Sequence, residues 1–325
     1  MSINSSLLVV IVNYKTADLT IDCLHSVAAE IKTFPNVRVM ITDNASPDDS
    51  VKKIQTAITQ QHWQDWASLM PLERNGGFAY GNNAAIKTVL DCDNPPDYIL
   101  LLNPDTIVHN GAFKALVSFM DSHPEVGIAG SRLEEIDGTP QMSAFRFQSI
   151  WSELDSGFRL GVISKLLAKS TVWFPIPDKP CQTDWVSGAS MLVRTKVFQD
   201  IGLMDEKYFM YYEEMDFCLQ ASKANWSCWY VPESRVVHLV GQSSGVGDPL
   251  QPPKRLPKYW FDSRKHYFLK NYGLIYTVLA DFLHILGYAS WKVRQKLQKK
   301  QTKETPYFLN DLIENSVLVK ALKSK

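Results

Sequence analysis

Two aspartates placed directly after apolar runs, and three carboxylates crowded into four residues, are the groups in this 325-residue chain best suited to chemistry. Asp105 carries the most weight. Residues 98–102 read Tyr-Ile-Leu-Leu-Leu and run into Asn103, Pro104 and Asp105. A short unbroken apolar run of this kind marks a strand buried on both faces of a parallel sheet. Pro104 cannot continue the ladder, so polar groups project from the strand's carboxyl end, where open α/β sheets bind ligands. Taken alone, Asp105 is equally a turn or capping residue. Asp43 closes the run at residues 37–42 in the same way. A carboxylate there accepts two hydrogen bonds from a ribose diol, the other reading being that it only shapes its loop. Glu213, Glu214 and Asp216 follow an aromatic run, residues 208–212. Acids in a helix's first turn suit its dipole, for under about 1 kcal/mol each. Three exceed that need, and adjacent carboxylates raise one another's pKa, which suits a proton acceptor. His238 ends an apolar stretch ahead of a glycine-rich segment, residues 241–247, able to close over a ligand. By itself this histidine reads as structural.

Holding these groups requires a regular scaffold, and the hydrophobic periodicity supplies one. Residues 7–12 form a first strand, followed by Asn13 and a helix with Leu24, Val27, Ala28 and Ile31 at helical spacing. After the second strand, Ser46 reads as an N-cap, with Pro47 at the first helical position and Asp48 and Asp49 in the first turn. Two successive strand–helix units predict a right-handed parallel α/β sheet. Asn75, Gly76, Gly77 and Phe78 open a helix that continues through Asn82, Ile86, Val89 and Leu90. Glycines let the backbone approach a ligand, and a helix amino end favours anions. Neither G-x-G-x-x-G nor G-K-[ST] occurs, so the usual dinucleotide and P-loop fingerprints are missing. A helix over 111–122 and a strand over 126–131 follow. Residues 140–180, rich in aromatics and proline, are expected to form a segment over the site. A loop and strand over 183–194 lead to a short helix capped by Thr195.

Composition is that of an ordinary globular protein, but the charge is unevenly spread. Residues 251–325 hold 15 Lys and Arg against five Asp and Glu, leaving 19 against 29 for residues 1–250. Within that tail, residues 274–291 are largely apolar, interrupted by Asp281 and His284 on one helical face. Lys292, Arg294, Lys296, Lys299 and Lys300 follow. The pattern fits an interfacial helix drawn to anionic lipid better than a membrane span; the other reading is a helix packed on the catalytic domain. Five cysteines, an odd number with no C-x-x-C pair, predict reduced thiols in a cytoplasmic setting. The apolar run at 7–12 is too short for a signal-peptide core. A basic surplus confined to one tail, without interleaved stacking residues, argues against nucleic-acid binding.

In series, Val9 to Lys15, Thr42 to Ser46, Asn75 to Phe78, Asn103 to Asp105, Trp185 to Gly188 and Glu213 to Asp216 resemble glycosyltransferase family 2. They look most like its rhamnosyltransferase branch, which assembles bacterial surface polysaccharide. The resemblance covers roughly residues 6–270 and implies a GT-A fold: α/β, with a Rossmann-like mixed, mainly parallel sheet flanked by helices. A catalytic domain would occupy 1–250, its nucleotide-binding half about 1–130 and its acceptor half about 131–250. A basic helical extension would occupy 251–325. The implied reaction is inverting and metal-dependent, with Mg²⁺ or Mn²⁺. It moves a sugar, best L-rhamnose from dTDP-L-rhamnose, to a saccharide or polyprenyl-linked acceptor in O-antigen or related synthesis, at the inner face of the membrane. Carried over residue by residue, Asn13, Asp43, Asn75, Gly77, Asn82, Asn103 and Asp105 would line the donor site. Asp105 and His238 would hold the metal, Glu213 or Glu214 would be the catalytic base, and Trp185, Ser187, Gly188 and Asp216 would face the acceptor. Asn103 stands where the family's Asp-x-Asp element has its first acid, so the cation must lean on diphosphate oxygens and water. Glu214 replaces the aspartate of the Glu-Asp pair, which leaves open which glutamate is the base. The alternatives are hexosyl or galactofuranosyl transfer from a UDP-sugar and, in another class, a sugar-nucleotide-binding protein without activity.

Overall fold

The computed structural model describes residues 5–173, 175–239, 253–299 and 304–319. The glycine-rich segment at 241–247 and Lys300 lie outside the described residues. In chain order the first elements are β1 (Leu7–Asn13), α1 (Ala17–Ile31), β2 (Val37–Asp43), α2 (Ser50–Gln60), β3 (Ala67–Pro71), α3 (Gly77–Leu90) and β4 (Tyr98–Leu102). Then come β5 (Thr106–Val108), α4 (Ala112–Ser122), β6 (Val126–Glu134), β7 (Ala144–Phe145), α5 (Ile150–Phe158) and α6 (Gly161–Leu166). The chain continues through β8 (Cys181–Thr183), β9 (Trp185–Val186), β10 (Ser190–Arg194), α7 (Thr195–Ile201), α8 (Glu213–Lys223) and β11 (Ser227–His238). Two helices close it, α9 (Lys258–Gln298) and α10 (Phe308–Asn315).

The described residues divide into two compact units. One lies within 1–145, 175–209 and 213–244; the other lies within 146–174, 210–212 and 245–325. A single division near residue 250 is therefore not what the contacts give. Residues 146–174, expected over the site, supply α5 and α6 to the helical second unit.

The first unit is built on a nine-stranded sheet in the order β3-β2-β1-β4-β10-β6-β11-β5, with β8 also paired to β11. Strands β1 to β4 are mutually parallel where they pair; β10 enters antiparallel to both β4 and β6. β1 and β4 are apolar and buried along nearly their whole length because helices cover both faces, as expected of inner parallel strands. Leu24 and Val27 of α1, Ile54 and Ile58 of α2, and Phe113, Leu116 and Val117 of α4 complete one core with them.

Two local expectations shift. The second helix starts at Ser50 behind Asp49, not at Pro47 behind Ser46. Asp43 takes both the Ser46 N–H (2.8 Å) and its hydroxyl (2.8 Å), and this bond draws the segment into a turn before the helix can begin. The stretch after Asp105 forms a short strand, β5, before α4 starts one residue late behind Gly111, whose φ is 86°.

In the second unit α5 starts with a capping box, Ser149 and Ser152 exchanging side-chain and backbone hydrogen bonds. α9 is broken at Gly273 (φ 80°, ψ 179°) into two helical segments. Gly287 meets α5 so closely that a Cβ there would lie 2.6 Å from the Phe158 nitrogen. Beside this contact Arg264, 3% exposed, bridges Glu153 (2.5 Å) and Asp281 (2.5 Å), and His284 reaches Glu153 at 2.6 Å.

Candidate active site

The carboxyl ends of β1 and β2 lie side by side in register, Asn13 opposite Asp43. Both residues are fully buried. Asn13 donates from Nδ2 to Asp43 (2.5 Å), and its Oδ1 accepts from the Thr16 and Thr20 hydroxyls (3.0 Å each). Asp43 is thus held by Asn13 and Ser46 at the mouth of the sheet, with its orientation fixed. Asn44, next in the chain, ties this loop to the glycine turn by donating to the Gly77 carbonyl (2.9 Å). Asn75 accepts the Gly77 N–H (3.1 Å). Gly77 has φ 85°, and a Cβ on it would fall 1.7 Å from the Phe209 carbonyl oxygen, which also accepts the Phe78 N–H at 3.0 Å. Only glycine fits there. Asn82 lies one turn further along α3, 1% exposed, donating back to the Phe78 carbonyl (2.9 Å). Its Oδ1 and that of Asn44 are buried without a hydrogen-bond partner among the described residues.

Asp105 follows β4 and is 1% exposed. Because β5 pairs antiparallel with β11, Thr106 opposite His238, the His238 ring is brought to 3.6 Å from the Asp105 carboxylate. The Asp105 carbonyl also accepts the Leu239 N–H at 2.9 Å. Burial holds the His238 pKa below its ordinary value, against the opposing charges of Asp105 and Glu135. A carboxylate beside a neutral imidazole is a donor set that suits a divalent cation. Among the described residues no group of three or more His, Cys, Asp or Glu could hold a metal alone, so a cation there would complete its shell with substrate oxygens and water. Asn103 contributes through its backbone: its N–H donates to the Ala189 carbonyl (3.0 Å) and its carbonyl accepts the Thr106 hydroxyl (2.7 Å).

The motifs converge at Gly188. The β10–β4 pairing sets Ser190 opposite Leu102, so the Gly188 loop lies beside the Asn103 turn. A Cβ on Gly188 would sit 3.1 Å from the Phe78 ring and 3.8 Å from the Glu214 Cβ. The Gly188 N–H and Glu214's own N–H stabilise the Glu214 carboxylate, yet burial outweighs them and raises its pKa. Its Oε2 is without a hydrogen-bond partner among the described residues. Glu213 and Asp216 instead place their charges near the Tyr208 phenol, which burial and Asp216 push above its usual range. Both acids are nearly inaccessible, at 4% and 2%. Ser187 donates its N–H to Ser143 (2.9 Å), and Trp185 stacks on Phe145 with centroids 4.2 Å apart. Asn44, Ser46, Phe78, Tyr208 and Phe209 help to build the site; they stand within the sequence motifs, which give them no role there. Gly77 was the available pointer to Phe209, since a glycine that opens a helix marks a close backbone approach.

Residues 8–167 match the profile described as glycosyl transferase family 2, and residues 98–261 that of glycosyl transferase family group 2. The N-acetylglucosaminyl-diphospho-decaprenol L-rhamnosyltransferase of Mycobacterium tuberculosis is 29% identical over 219 residues, 64% of this chain and 68% of that one. Rhamnosyltransferase WbbL of Escherichia coli K12 is 28% identical over 211 residues, 61% of this chain and 76% of its own. The mannosyltransferase PcManGT of Pyrobaculum calidifontis, solved with GDP-Man and Mn²⁺, aligns with a TM-score of 0.59 at 11% identity, over 100% of this chain and 89% of that one. That likeness is one of fold, and the fold is GT-A. A profile spanning half of the chain, over the elements that carry Asp105, Gly188 and Glu214, leaves one assignment: this chain belongs to glycosyltransferase family 2.

Proposed function

We propose that the chain is an inverting, metal-dependent rhamnosyltransferase. It moves L-rhamnose from dTDP-L-rhamnose to a saccharide or polyprenyl-linked saccharide in cell-surface polysaccharide synthesis, working peripherally at the cytoplasmic face of the membrane. The observation that carries this reading is the meeting at Gly188 of the Phe78 turn, the Asn103–Asp105 turn and Glu214. The names of the mycobacterial and E. coli relatives support rhamnose as the sugar.

Asp43, fixed by Asn13 and Ser46, is placed to accept hydrogen bonds from the nucleoside, and the Gly77 turn lets backbone approach it. Glu214 takes the proton of the acceptor hydroxyl as its oxygen attacks the anomeric carbon from the face opposite the leaving diphosphate. A carboxylate with a raised pKa and a buried oxygen that has no hydrogen-bond partner among the described residues is suited to that task. Glu213 and Asp216 set the amino end of α8 with Tyr208. A divalent cation between Asp105 and His238 would supply Lewis-acid neutralisation of the leaving group.

Titration calorimetry of dTDP-L-rhamnose with and without Mn²⁺, on the native chain and on Asp105→Ala, tests the reading. Native binding should depend on the metal, and the variant should lose that dependence. Metal-independent binding of equal strength in both would end the assignment of Asp105, and preference for a UDP-hexose would end that of the sugar.

A further inference from the structure

We infer that the second unit carries a docking ridge for an anionic lipid surface, formed by the free face of α9 beyond Gly273. Ile275 (81% exposed), Leu279, Phe282, Leu286, Val293 and Leu297 (78%) recur every three, four or seven residues along one side of the helix. At 1.5 Å per residue the stripe runs about 33 Å. The opposite side is occupied: Ala280, Asp281, His284, Gly287 and Tyr288 are buried. Between Gly273 and Lys292 the only Asp, Glu, Lys or Arg is Asp281, which is 1% exposed and paired with Arg264. The exposed face of this stretch therefore carries no charge.

Cations follow at its end. Lys292, Lys296 and Lys299 all reach solvent, and among the described residues only Lys292 of the three pairs with an acid, Glu304 at 2.9 Å. An apolar stripe ending in lysines matches a bilayer interface, with acyl chains receiving the leucines and anionic headgroups the ammonium groups. The buried side settles depth. The helix is long and apolar enough to cross a membrane by length and composition, but its buried side includes Asp281. Crossing would strip Asp281 from Arg264 and from the Val317 N–H (2.8 Å), leaving charges unpaired in hydrocarbon. The helix lies on the surface instead. This inference uses none of the catalytic residues, so its failure leaves the transfer reaction standing.

Flotation of the full chain with vesicles of phosphatidylcholine, alone or mixed with phosphatidylglycerol, tests it. The native chain should float with the mixed vesicles and stay behind with phosphatidylcholine alone. The double variant Phe282→Glu/Leu286→Glu should lose at least tenfold in vesicle partition. Lys292→Ala/Lys296→Ala/Lys299→Ala should lose on the order of fivefold per cation removed. Thermal melting by circular dichroism should be unchanged in both, since every substituted side chain is exposed. Undiminished flotation of the double variant would overturn the proposal. So would vesicle binding that is absent while sedimentation velocity shows a native dimer that the same double variant dissociates, since a second copy would then own the face.

Discussion

Adjacent residues on a helix point about 100° apart, and that angle separates the two glutamates. Glu213 turns its charge toward Tyr208 with Asp216, while Glu214 faces the Gly188 N–H. A general base needs a raised pKa and an oxygen not already committed to a hydrogen bond; among the described residues Glu214 has both, its Oε2 being buried without a partner. Glu214→Gln should therefore lower kcat by about 10²–10⁴-fold with donor affinity kept, measured by steady-state transfer beside calorimetry. A larger loss in a folded Glu213→Gln would move the role to that residue. The base works deprotonated, so activity should fall as pH drops through the Glu214 pKa. Because burial raises that pKa above the ordinary glutamate value of 4.5, the acid limb of kcat/KM should lie above 4.5 and be absent from the residual activity of Glu214→Gln. Gly77→Ala meets a different obstacle. Its φ of 85° costs a side chain about 1–3 kcal/mol, and the Phe209 carbonyl occupies the Cβ position. The variant should melt measurably lower and bind donor weakly; a native melt with native affinity would show that the turn yields.

At the level of elements, sequence is read best where local pattern and tertiary environment agree. Residues 98–102 were a strand by their unbroken apolarity and are one, buried throughout because sheet neighbours and helices surround β4. Asp43 ends β2 as its position implied, and Asp105 lies in the turn between β4 and β5. What escaped was decided by distant residues. β5 has three residues and a half-open centre, too short for any period to register, and exists because β11 pairs with it. The antiparallel entry of β10 is invisible in its composition, since an apolar strand reads the same in either direction. Ser46 had every mark of a cap but bonds to Asp43. Residues 146–174 joined the second unit through Glu153 and Arg264, 111 positions apart. The α5–α9 contact was equally hidden, since Gly157 and Gly287 reveal their purpose only when packed together. Gly287→Ala should cost about 1–3 kcal/mol through overpacking against the Phe158 backbone, read as a shift in the urea midpoint of the second unit. An unshifted midpoint would mean that the helices separate without loss.

For the molecule as a whole, the two units are held by different physics. The first rests on an apolar core gathered around a sheet. The second buries a charged network of Glu153, Arg264, Asp281 and His284, all at most 6% exposed. Burial alone would raise the Glu153 pKa, but Arg264 and His284 outweigh it and hold the carboxyl at about 2, below the ordinary glutamate value of 4.5. A depressed acid stabilises the fold fully above its unfolded pKa, and that contribution fades as pH falls toward the folded value. The loss should therefore run from about pH 4.5 down to about 2. Its size is on the order of 3 kcal/mol if the whole shift is expressed. Removing one partner of such a network leaves the others charged and buried, which costs more than the pair itself contributes. At pH 7 Glu153→Gln should thus melt well below the native chain. As the native Glu153 becomes protonated the two melting curves should approach one another, and by about pH 2 the gap should be nearly closed. Hydrogen exchange over residues 150–158 and 258–298, compared with residues 7–13 and 98–102 in both proteins, locates the effect. Protection should fall in the first pair of segments and hold in the second. A gap that stays constant from neutral to acid pH would mean that Glu153 is not the group whose ionisation secures these helices.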